Sequence, residues 1–316
     1  MLDKQLSLIL NKSMKFSYYL LFFMLCLLIF LLFDRQKHTM TVKEAEQKYL
    51  KHIQKNPTIT KEHYDYSENI LWDKENHHKL LQKNIINQDN SVIYLFWTGG
   101  FDSTFRLVQL LLKNKDNINS DNKVYVQPIY VMCPMLDSVY GFKRKNKELE
   151  IKTMKQIRQT LYQKYPNLQK YLLPTRYVTS VHIDIEVTKK YMYISKLKRF
   201  TRGISQYERL AQYSYRHPRP IELGLEKCGT GMDRLTKDYR TGYDVNNRVD
   251  LTKAPKEYIV LKNLRFPISY LTKQEMVKIS KDKGFYFALE MSWTCWYPTK
   301  DGEPCGKCNM CRHRII

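Results

Sequence analysis

The sequence is short of acidic residues, with 31 aspartates and glutamates against 53 lysines and arginines, which gives a formal net charge of +22. A chain this basic can bind nucleic acid, an anionic membrane surface or nucleotide phosphates. It lacks a compact arginine- and lysine-rich motif of the known nucleic-acid-binding modules. Because the basic residues are spread along the chain, the charge gives a nucleic-acid partner only weak support.

The chain also lacks two common phosphate-binding motifs in the stretch Ser91–Leu112, where a phosphate site would otherwise be expected. That stretch contains neither the lysine of a Walker A loop nor the GxGxxG pattern of a dinucleotide-binding turn. The first absence argues against a Walker A nucleotidase and the second against a dinucleotide-binding domain. A phosphate site in this stretch must therefore hold the phosphate with a different arrangement of residues.

The same stretch nevertheless has the parts of an anion site. The apolar run Val92–Trp97 predicts a buried parallel strand, and Leu107–Leu112 has leucines at helical spacing. Between them lies a turn with two glycines, where backbone amides and the helix dipole favour a bound anion. The predicted phosphate-binding residues are Thr98, Gly99, Gly100, Phe101, Asp102, Ser103 and Thr104.

The N-terminal part contains one long apolar run. Residues 1–15 are polar and basic, and residues 16–33 are uncharged and almost wholly apolar, which predicts a transmembrane helix. A cleaved signal peptide is the alternative, but no small-x-small cleavage site follows the run. We therefore expect an uncleaved single-pass anchor. Lysine and arginine flank both ends, so the positive-inside rule does not decide its orientation.

Residues 34–90 predict a charged, helical connector. Thr41–Glu44 fits a capping box that opens a helix through Ile53, and a second helical pattern covers Lys61–Ile86. From residue 91 onward strands and helices alternate, so residues 91–316 predict an α/β domain with a doubly wound parallel sheet. Ligands of such a sheet bind beyond the carboxyl ends of its strands. The predicted later strands are Val124–Met132, Tyr177–Ile185 and Ile221–Glu226, and the predicted helices are Asn146–Tyr162 and Ser205–Tyr215.

Four of the seven cysteines lie close together at the C-terminal end of the sequence. Four thiolates at short spacings predict a closed, structural zinc site and a reducing compartment. An iron–sulfur cluster and unconnected cysteines are the alternatives. The predicted ligands, in a knuckle covering residues 295–314, are Cys295, Cys305, Cys308 and Cys311.

The turn with two glycines and the four C-terminal cysteines together resemble a known family. Thr98–Ser103 resembles the Ser-Gly-Gly-x-Asp-Ser loop of the PP-loop ATP pyrophosphatases, with threonine in place of the first serine. With the ending Cys305–Arg314, residues 91–316 resemble the 7-cyano-7-deazaguanine synthase (QueC) family, which makes the nitrile precursor of queuosine. Further similar segments are Ser292–Trp296, Pro267–Ile279, Tyr140–Gly141 with Glu148–Leu149, and Arg202 with Gly224.

The chain departs from the family's pattern in its middle part. Phe142 stands where the family has glutamine, and Gly203 stands where it has asparagine. Cys228–Asp233 replaces another family segment, and the chain stops two residues after Arg314. The middle part would shape the substrate pocket, so the resemblance supports ATP use more firmly than a deazaguanine substrate.

The resemblance implies a fold and an activity. The fold is the Rossmann-like PP-loop fold, of the adenine nucleotide alpha hydrolase type. The activity is that of an ATP-dependent ligase that adenylates a carboxylate and aminates it with ammonia, converting 7-carboxy-7-deazaguanine or a related substrate to the nitrile. Mg²⁺ is expected with Asp102, and Asp102 and Ser103 are the expected catalytic residues. The need for ATP favours a cytosolic location for the large domain.

Two other functions are compatible with the sequence. The first is a PP-loop tRNA-modifying enzyme of the thiolation type, for which Cys133 and Cys228 are candidate reactive residues. The absence of paired N-terminal CxxC motifs counts against it. The second is a non-catalytic, membrane-tethered nucleotide-binding or defence protein on the same fold. The intact Gly99, Gly100 and Asp102 count against that alternative.

Overall fold

The computed structural model describes residue 24 and residues 42–86, 91–116, 123–132, 146–197, 206–227, 231–242 and 247–312. The chain divides into two compact units, Met1–His52 and Ile53–Ile316. The predicted anchor, residues 16–33, lies outside the described residues except for Met24. Within the part of the chain that the structure describes, no helix has both the length and the apolar character needed to span a bilayer. The membrane anchor and its orientation therefore stay predictions.

The secondary structure of the described residues alternates between strands and helices from residue 61 onward. The strands are β1 (Lys61–Tyr64), β2 (Val92–Phe96), β3 (Tyr125–Val131), β4 (Arg176–Ser180), β5 (Ile221–Leu223) and β6 (Leu264–Arg265). The helices are α1 (Val42–Lys55), α2 (Lys74–Ile86), α3 (Phe101–Asp116), α4 (Lys147–Lys164), α5 (Ile185–Leu197), α6 (Gln206–Arg216), α7 (Gly231–Thr236), α8 (Lys273–Asp282), α9 (Tyr286–Glu290) and α10 (Asn309–Arg312). Short 3₁₀ helices cover Tyr66–Glu68, Pro166–Tyr171, Lys237–Tyr239 and Lys256–Leu261.

The six strands form one sheet in the order β1-β4-β3-β2-β5-β6. All neighbouring pairs are parallel except β1 and β4, which pair antiparallel. The chain leaves β2 towards β3 on one side and later returns to pair β5 on the other side of β2. The mostly parallel α/β sheet expected from the sequence is therefore confirmed, and its strand order reverses beside β2.

The central strands are buried because their sequences are apolar on both faces, as the parallel strands of a covered sheet must be. Leu95 and Trp97 at the end of β2 are fully buried. They belong to one core cluster with Leu107 and Leu111 of α3. This packing fixes the start of α3 relative to the carboxyl end of β2.

The prediction of one helix over Lys61–Ile86 is wrong in its first half. Lys61–Tyr64 is an edge strand, and the helix begins only at Lys74. The polar sequence of this strand has no apolar alternation, because most of its side chains are exposed at the sheet edge. Pairing with β4, a tertiary interaction, overrides the local pattern. Thr41, the N-terminal residue of the predicted capping box, lies outside the described residues.

Other boundaries differ at the ends of short elements. The strand predicted over Tyr177–Ile185 ends at Ser180, and Ile185 opens helix α5 instead. The strand predicted over Ile221–Glu226 ends at Leu223. Strand β6 has two residues and carries no detectable period in the sequence. The three residues after β5 are thereby released from the sheet and reach the site described below.

Candidate functional site

The turn after β2, residues 98–104, is called the glycine turn here. It lies where the strand order reverses, between the carboxyl ends of β2 and β5. Gly99 has a φ of +69°, in the region that only glycine adopts without strain. A Cβ at Gly99 would also lie 3.1 Å from the Met154 side chain and 3.3 Å from the Glu150 carbonyl oxygen. This glycine is therefore required by backbone conformation and by close packing against α4.

A second glycine lets β5 approach the same turn. A Cβ at Gly224 would lie 2.8 Å from the backbone N and Cα of Ser103 and 3.0 Å from the carbonyl carbon of Asp102. Real Cβ atoms do not approach backbone atoms this closely, so any side chain would push the first turn of α3 away from the end of β5. Gly224 thus allows the chain after β5 to lie directly against the glycine turn.

The first turn of α3 presents the amides expected of an anion site. The Gly100 carbonyl oxygen accepts hydrogen bonds from the Thr104 amide at 2.9 Å and from the Ser103 hydroxyl at 3.2 Å. The preceding amides of Phe101, Asp102 and Ser103 belong to the first turn, where no carbonyl four residues earlier lies within the helix. They have the direction and the dipole that favour an anion.

The side chains of the glycine turn divide between the site and the core. Thr104 is fully buried, and its hydroxyl accepts a hydrogen bond from the Trp97 indole at 3.1 Å. Phe101 belongs to the core cluster. Phe101 would therefore contribute its backbone amide to a phosphate site, and contact of the Thr104 hydroxyl with ATP stays a prediction.

Asp102 carries a carboxyl group in an unusual environment. Its Oδ1 atom is buried and has no hydrogen-bond partner among the described residues. The pKa of Asp102 is raised to about 7: burial raises it most, the negative charge of Glu226 also raises it, and the positive charge of Lys273 lowers it. A buried oxygen without a partner is costly, which is typical of an atom that meets a ligand.

Glu226 and Lys273 come from two different elements and form an ion pair with an Nζ–Oε1 distance of 3.1 Å. Their side chains are only 17% and 14% exposed, respectively. The Lys227 amide donates to the Leu271 carbonyl oxygen at 2.8 Å, which holds the segment after β5 against the start of α8. The pair lies close enough to Asp102 for both charges to act on its carboxyl group.

Sequence reasoning did not identify this ion pair. The segment Pro267–Ile279 was noticed only as a helix entry similar to the family's. The structure explains part of that pattern by a capping box: Thr272 Oγ1 accepts from the Glu275 amide, and Glu275 accepts from the Thr272 amide at 2.7 Å. No local signal in the sequence indicates that Lys273 meets Glu226, because the contact depends on the fold.

The four cysteines predicted as metal ligands are brought together. Their sulfur atoms all lie within 4.8 Å of one another, and they form the one potential metal-binding group of His, Cys, Asp and Glu side chains among the described residues. Cys308 Sγ lies 3.5 Å and Cys305 Sγ 3.9 Å from Cys311 Sγ. A tetrahedral site with Zn–S bonds of about 2.3 Å has sulfurs about 3.8 Å apart, so the cluster fits zinc.

The backbone around the cluster also suits bound thiolates. Gly306 has a φ of +67°, which allows the tight turn between Cys305 and Cys308. The Cys308 amide donates to Cys305 Sγ, and the Cys305 amide donates to Cys295 Sγ, both at 3.3 Å. Hydrogen bonds from the amides of Lys307 and Cys308 lower the pKa of the Cys305 thiol to about 6, which favours the metal-binding thiolate.

One residue connects the cysteine cluster with the glycine turn. The Trp293 amide donates to the Gly99 carbonyl oxygen at 2.9 Å. Its indole N–H donates to the carbonyl oxygen of Cys295 at 2.7 Å. The two predicted sites, far apart in the sequence, are therefore joined through three consecutive residues.

Several residues that the sequence singled out lie outside the described residues. They are Cys133, Tyr140, Gly141, Phe142, Arg202, Gly203, Cys228 and Arg314. Asp233 is described, at the end of the segment where the chain departs from the family's pattern. It forms an ion pair with Arg240 at 2.8 Å, and both side chains are largely buried.

Comparison with known proteins assigns the C-terminal segment. The family model described as Queuosine biosynthesis protein QueC matches residues 245–315. This part of the chain is QueC-like. The QueC-like segment contains α8 with Lys273, the residue Trp293 and all four cysteines of the cluster. It does not include the glycine turn. The similarity to QueC therefore supports the part of the site around Lys273 and the cysteines, whereas the glycine turn is supported by its sequence and geometry.

Two curated proteins are similar to a short part of the chain. The 7-cyano-7-deazaguanine synthase of Pelobacter propionicus is 36% identical over 55 residues, which is 17% of this chain and 23% of that protein. The 7-cyano-7-deazaguanine synthase of Rhizorhabdus wittichii is 40% identical over 52 residues, which is 15% of this chain and 20% of that protein. The matches thus span less than a quarter of the length of these relatives. No solved structure matches the chain significantly.

Proposed function

We propose that the protein is an ATP-dependent carbon–nitrogen ligase of the QueC type, which forms AMP and pyrophosphate. Its proposed substrate is 7-carboxy-7-deazaguanine or a related carboxylate, and ammonia is the proposed nitrogen donor. The observation that carries the proposal is the hydrogen bond between Trp293 and Gly99. It joins the segment similar to QueC with a turn built to hold phosphates.

ATP would bind with its phosphates on the glycine turn. The first-turn amides of α3 supply hydrogen bonds, and the Ser103 hydroxyl can turn from the Gly100 carbonyl oxygen to a phosphate oxygen. The turn has no lysine of its own, and Lys273 supplies the missing positive charge from the start of α8. Mg²⁺, when bound with Asp102, neutralises phosphate charge. Zinc in the cysteine cluster has a structural role.

The resemblance to the QueC family supplies the proposed reaction. A carboxylate oxygen of the substrate attacks the α-phosphorus of ATP, the bond to the β-phosphate oxygen breaks, and pyrophosphate leaves. Ammonia then attacks the acyl carbon, AMP leaves with the electron pair of the C–O bond, and a proton is released. The resulting amide oxygen attacks the α-phosphorus of a second ATP and a second pyrophosphate leaves; loss of the second AMP and of both amide protons then leaves the nitrile. Each substrate oxygen thus departs on one AMP, and the protein contributes positioning and electrostatic stabilisation.

The membrane anchor over residues 16–33 is part of the proposal. It would tether a cytosolic ligase domain, since ATP is available on that side. The anchor is tested by whether the full chain requires detergent for extraction.

The substrate is tested by product analysis. Purified full-length protein is incubated with MgATP, ammonium and 7-carboxy-7-deazaguanine, and the products are identified by mass spectrometry. We expect the nitrile, with the amide as an intermediate, and neither compound when ammonium is omitted. AMP formation without any amide or nitrile would retain the PP-loop chemistry but reject the deazaguanine substrate. Transfer of sulfur to tRNA would favour the thiolation alternative.

A further inference from the structure

The segment Ser292–Cys295 is held at both ends. Cys295, a ligand of the cysteine cluster, is 1% exposed. At the other end the Ser292 hydroxyl donates to the Leu289 carbonyl oxygen at 2.6 Å, which fastens the segment to helix α9. Trp293 lies between these two fixed ends, and its amide donates a hydrogen bond to the Gly99 carbonyl oxygen.

This segment is too short for Cys295 to move far without also moving Trp293. Consecutive Cα atoms are about 3.8 Å apart, so the Cα atoms of Trp293 and Cys295 cannot be more than about 7.6 Å apart. The hydrogen bond from the Trp293 indole to the Cys295 carbonyl oxygen closes this short span at 2.7 Å. A displacement of Cys295 is therefore passed to residue 293, and from there to the carbonyl oxygen of Gly99.

The glycine turn is sensitive to such a displacement. Gly99 is packed closely against α4, and the position of a Cβ at Gly100 would lie 3.7 Å from the Trp293 carbonyl oxygen. Trp293 thus contacts Gly99 and lies beside Gly100, the two glycines whose backbone forms the turn. If the Trp293 amide moves away, the Gly99 carbonyl oxygen loses this donor and the turn loses a constraint on its shape.

We infer that Trp293 is a positioning residue that couples metal binding in the cysteine cluster to the shape and phosphate affinity of the glycine turn. The nucleotide part of this inference rests on the proposed function. Metal binding draws the four sulfurs together, fixes Cys295 and, through Trp293, holds the turn ready for phosphate. Because such coupling is reciprocal, nucleotide must raise the affinity for metal by the same factor.

The test uses the full-length protein, with zinc bound or removed by a chelator. Hydrogen–deuterium exchange of peptides covering residues 98–104 reports the turn without any nucleotide. We expect faster exchange there after zinc removal, while peptides from strand β3 and helix α4 stay protected. ATP affinity, measured in parallel by calorimetry, should fall by about fivefold or more, within the usual range of coupling between sites.

Two variants separate coupling from general folding. Trp293→Phe keeps an aromatic ring but removes the indole donor to Cys295. The variant should still bind zinc. Its ATP affinity, however, should differ much less between the zinc-loaded and the zinc-free protein than the ATP affinity of the parent does. Trp72→Phe, which removes an indole whose N–H has no hydrogen-bond partner in the described part of the chain, should behave like the parent. Zinc removal could unfold the whole chain, and the zinc-free protein would then not report on the turn. In that case hydrogen–deuterium exchange of residues 98–104 is compared between the zinc-loaded Trp293→Phe variant and the zinc-loaded parent. We expect faster exchange in the variant.

The outcomes distinguish the two proposals. Exchange of the turn that depends on zinc, in a protein that never binds ATP, would support the coupling and reject the proposed function. ATP binding of equal affinity with and without zinc, and turn exchange unchanged by zinc or by Trp293→Phe, would reject the coupling and leave the proposed function in place.

Discussion

Lys273 Nζ lies 3.1 Å from Glu226 Oε1, and both charges act on the buried carboxyl of Asp102. Glu226 follows β5, and Lys273 opens α8, so the three residues meet only because the sheet order brings β5 beside β2. With a pKa of about 7, Asp102 changes its charge within the physiological pH range.

This arrangement predicts opposite pH shifts for two variants. If AMP formation requires ionised Asp102, the rate should rise with pH through about 7. Lys273→Gln removes a charge that lowers the pKa of Asp102, so the rising limb should move to higher pH. Glu226→Gln removes a charge that raises this pKa, so the limb should move to lower pH. Rates of AMP formation between pH 5 and 9 provide the measurement.

The control for this pair lies on the same helix. Lys278→Gln breaks an exposed ion pair with Asp282 and should leave the pH dependence of AMP formation unchanged. Shifts of the Lys273 and Glu226 variants in the same direction, or no shift in either, would mean that Asp102 does not govern the profile.

The close approach of β5 to α3 predicts a strong effect at one glycine. Gly224→Ala places a methyl group 2.8 Å from the Ser103 backbone, so the first turn of α3 must move. We expect weaker ATP binding by calorimetry and a free energy of unfolding lowered by about 1–3 kcal/mol, as for other overpacked sites. Gly242→Ala, where no described atom outside the neighbouring residues lies within 4 Å of the added group, is the matched control. Equal behaviour of the two variants would contradict the described packing.

The connector contributes a buried ion pair to the core. Glu68 Oε2 lies 3.1 Å from Arg158 Nη2, and the two side chains are 1% and 2% exposed. Glu68 also accepts hydrogen bonds from the Tyr177 hydroxyl at 2.7 Å and from the Thr175 amide at 3.0 Å. Glu68→Gln should therefore lower the free energy of unfolding by about 3–5 kcal/mol, because it leaves the Arg158 charge buried without its partner.

Urea denaturation measures this effect, with Glu75→Gln as control. Glu75 pairs with Lys79 on an exposed helix face, and such pairs contribute within about 1 kcal/mol. A fragment that begins at residue 91 would lack both Glu68 and strand β1, so it should be less stable than one that begins before residue 53. A Glu68 variant as stable as the Glu75 variant would contradict the role given to the connector.

The cysteine cluster predicts about one zinc per chain. Cys308→Ser should lose metal and lower the melting temperature, because metal binding contributes directly to the free energy of folding. Cys228→Ser, at a cysteine that is not one of the four ligands, should keep the metal content of the parent. Elemental analysis that finds iron together with visible absorbance, or no metal at all, would overturn the zinc assignment.

The two parts of the site that the sequence predicted have local signals. A buried strand, a turn with two glycines and a leucine-rich helix follow one another in Ser91–Leu112, so hydrophobic pattern and turn chemistry agree. The cysteines of the cluster are close in sequence, and their short spacings restrict where the sulfurs can lie. In both cases the residues that cooperate are near neighbours along the chain.

The remaining features depend on contacts between distant segments. Strand β1 is polar and short, and only its pairing with β4 defines it as a strand. The Glu226–Lys273 pair and the bond from Trp293 to Gly99 require the complete sheet order and the packing of the C-terminal segment. Neither helical nor strand periodicity contains that information, so the sequence predicts the glycine turn but not the residues that surround it.

The phosphate products of ATP turnover test the central claim most directly. Full-length protein with MgATP, ammonium and the carboxylate substrate should release AMP and pyrophosphate in equal amounts. Asp102→Asn should lower this rate by a factor of hundreds, as expected when a charged ligand is lost from a preorganised site. It should still fold, because Asp102 Oδ1 accepts no hydrogen bond from any residue that the structure describes. Release of ADP and phosphate, or an Asp102→Asn variant as active as the parent, would contradict the assignment of residues 98–104 as a working pyrophosphate loop.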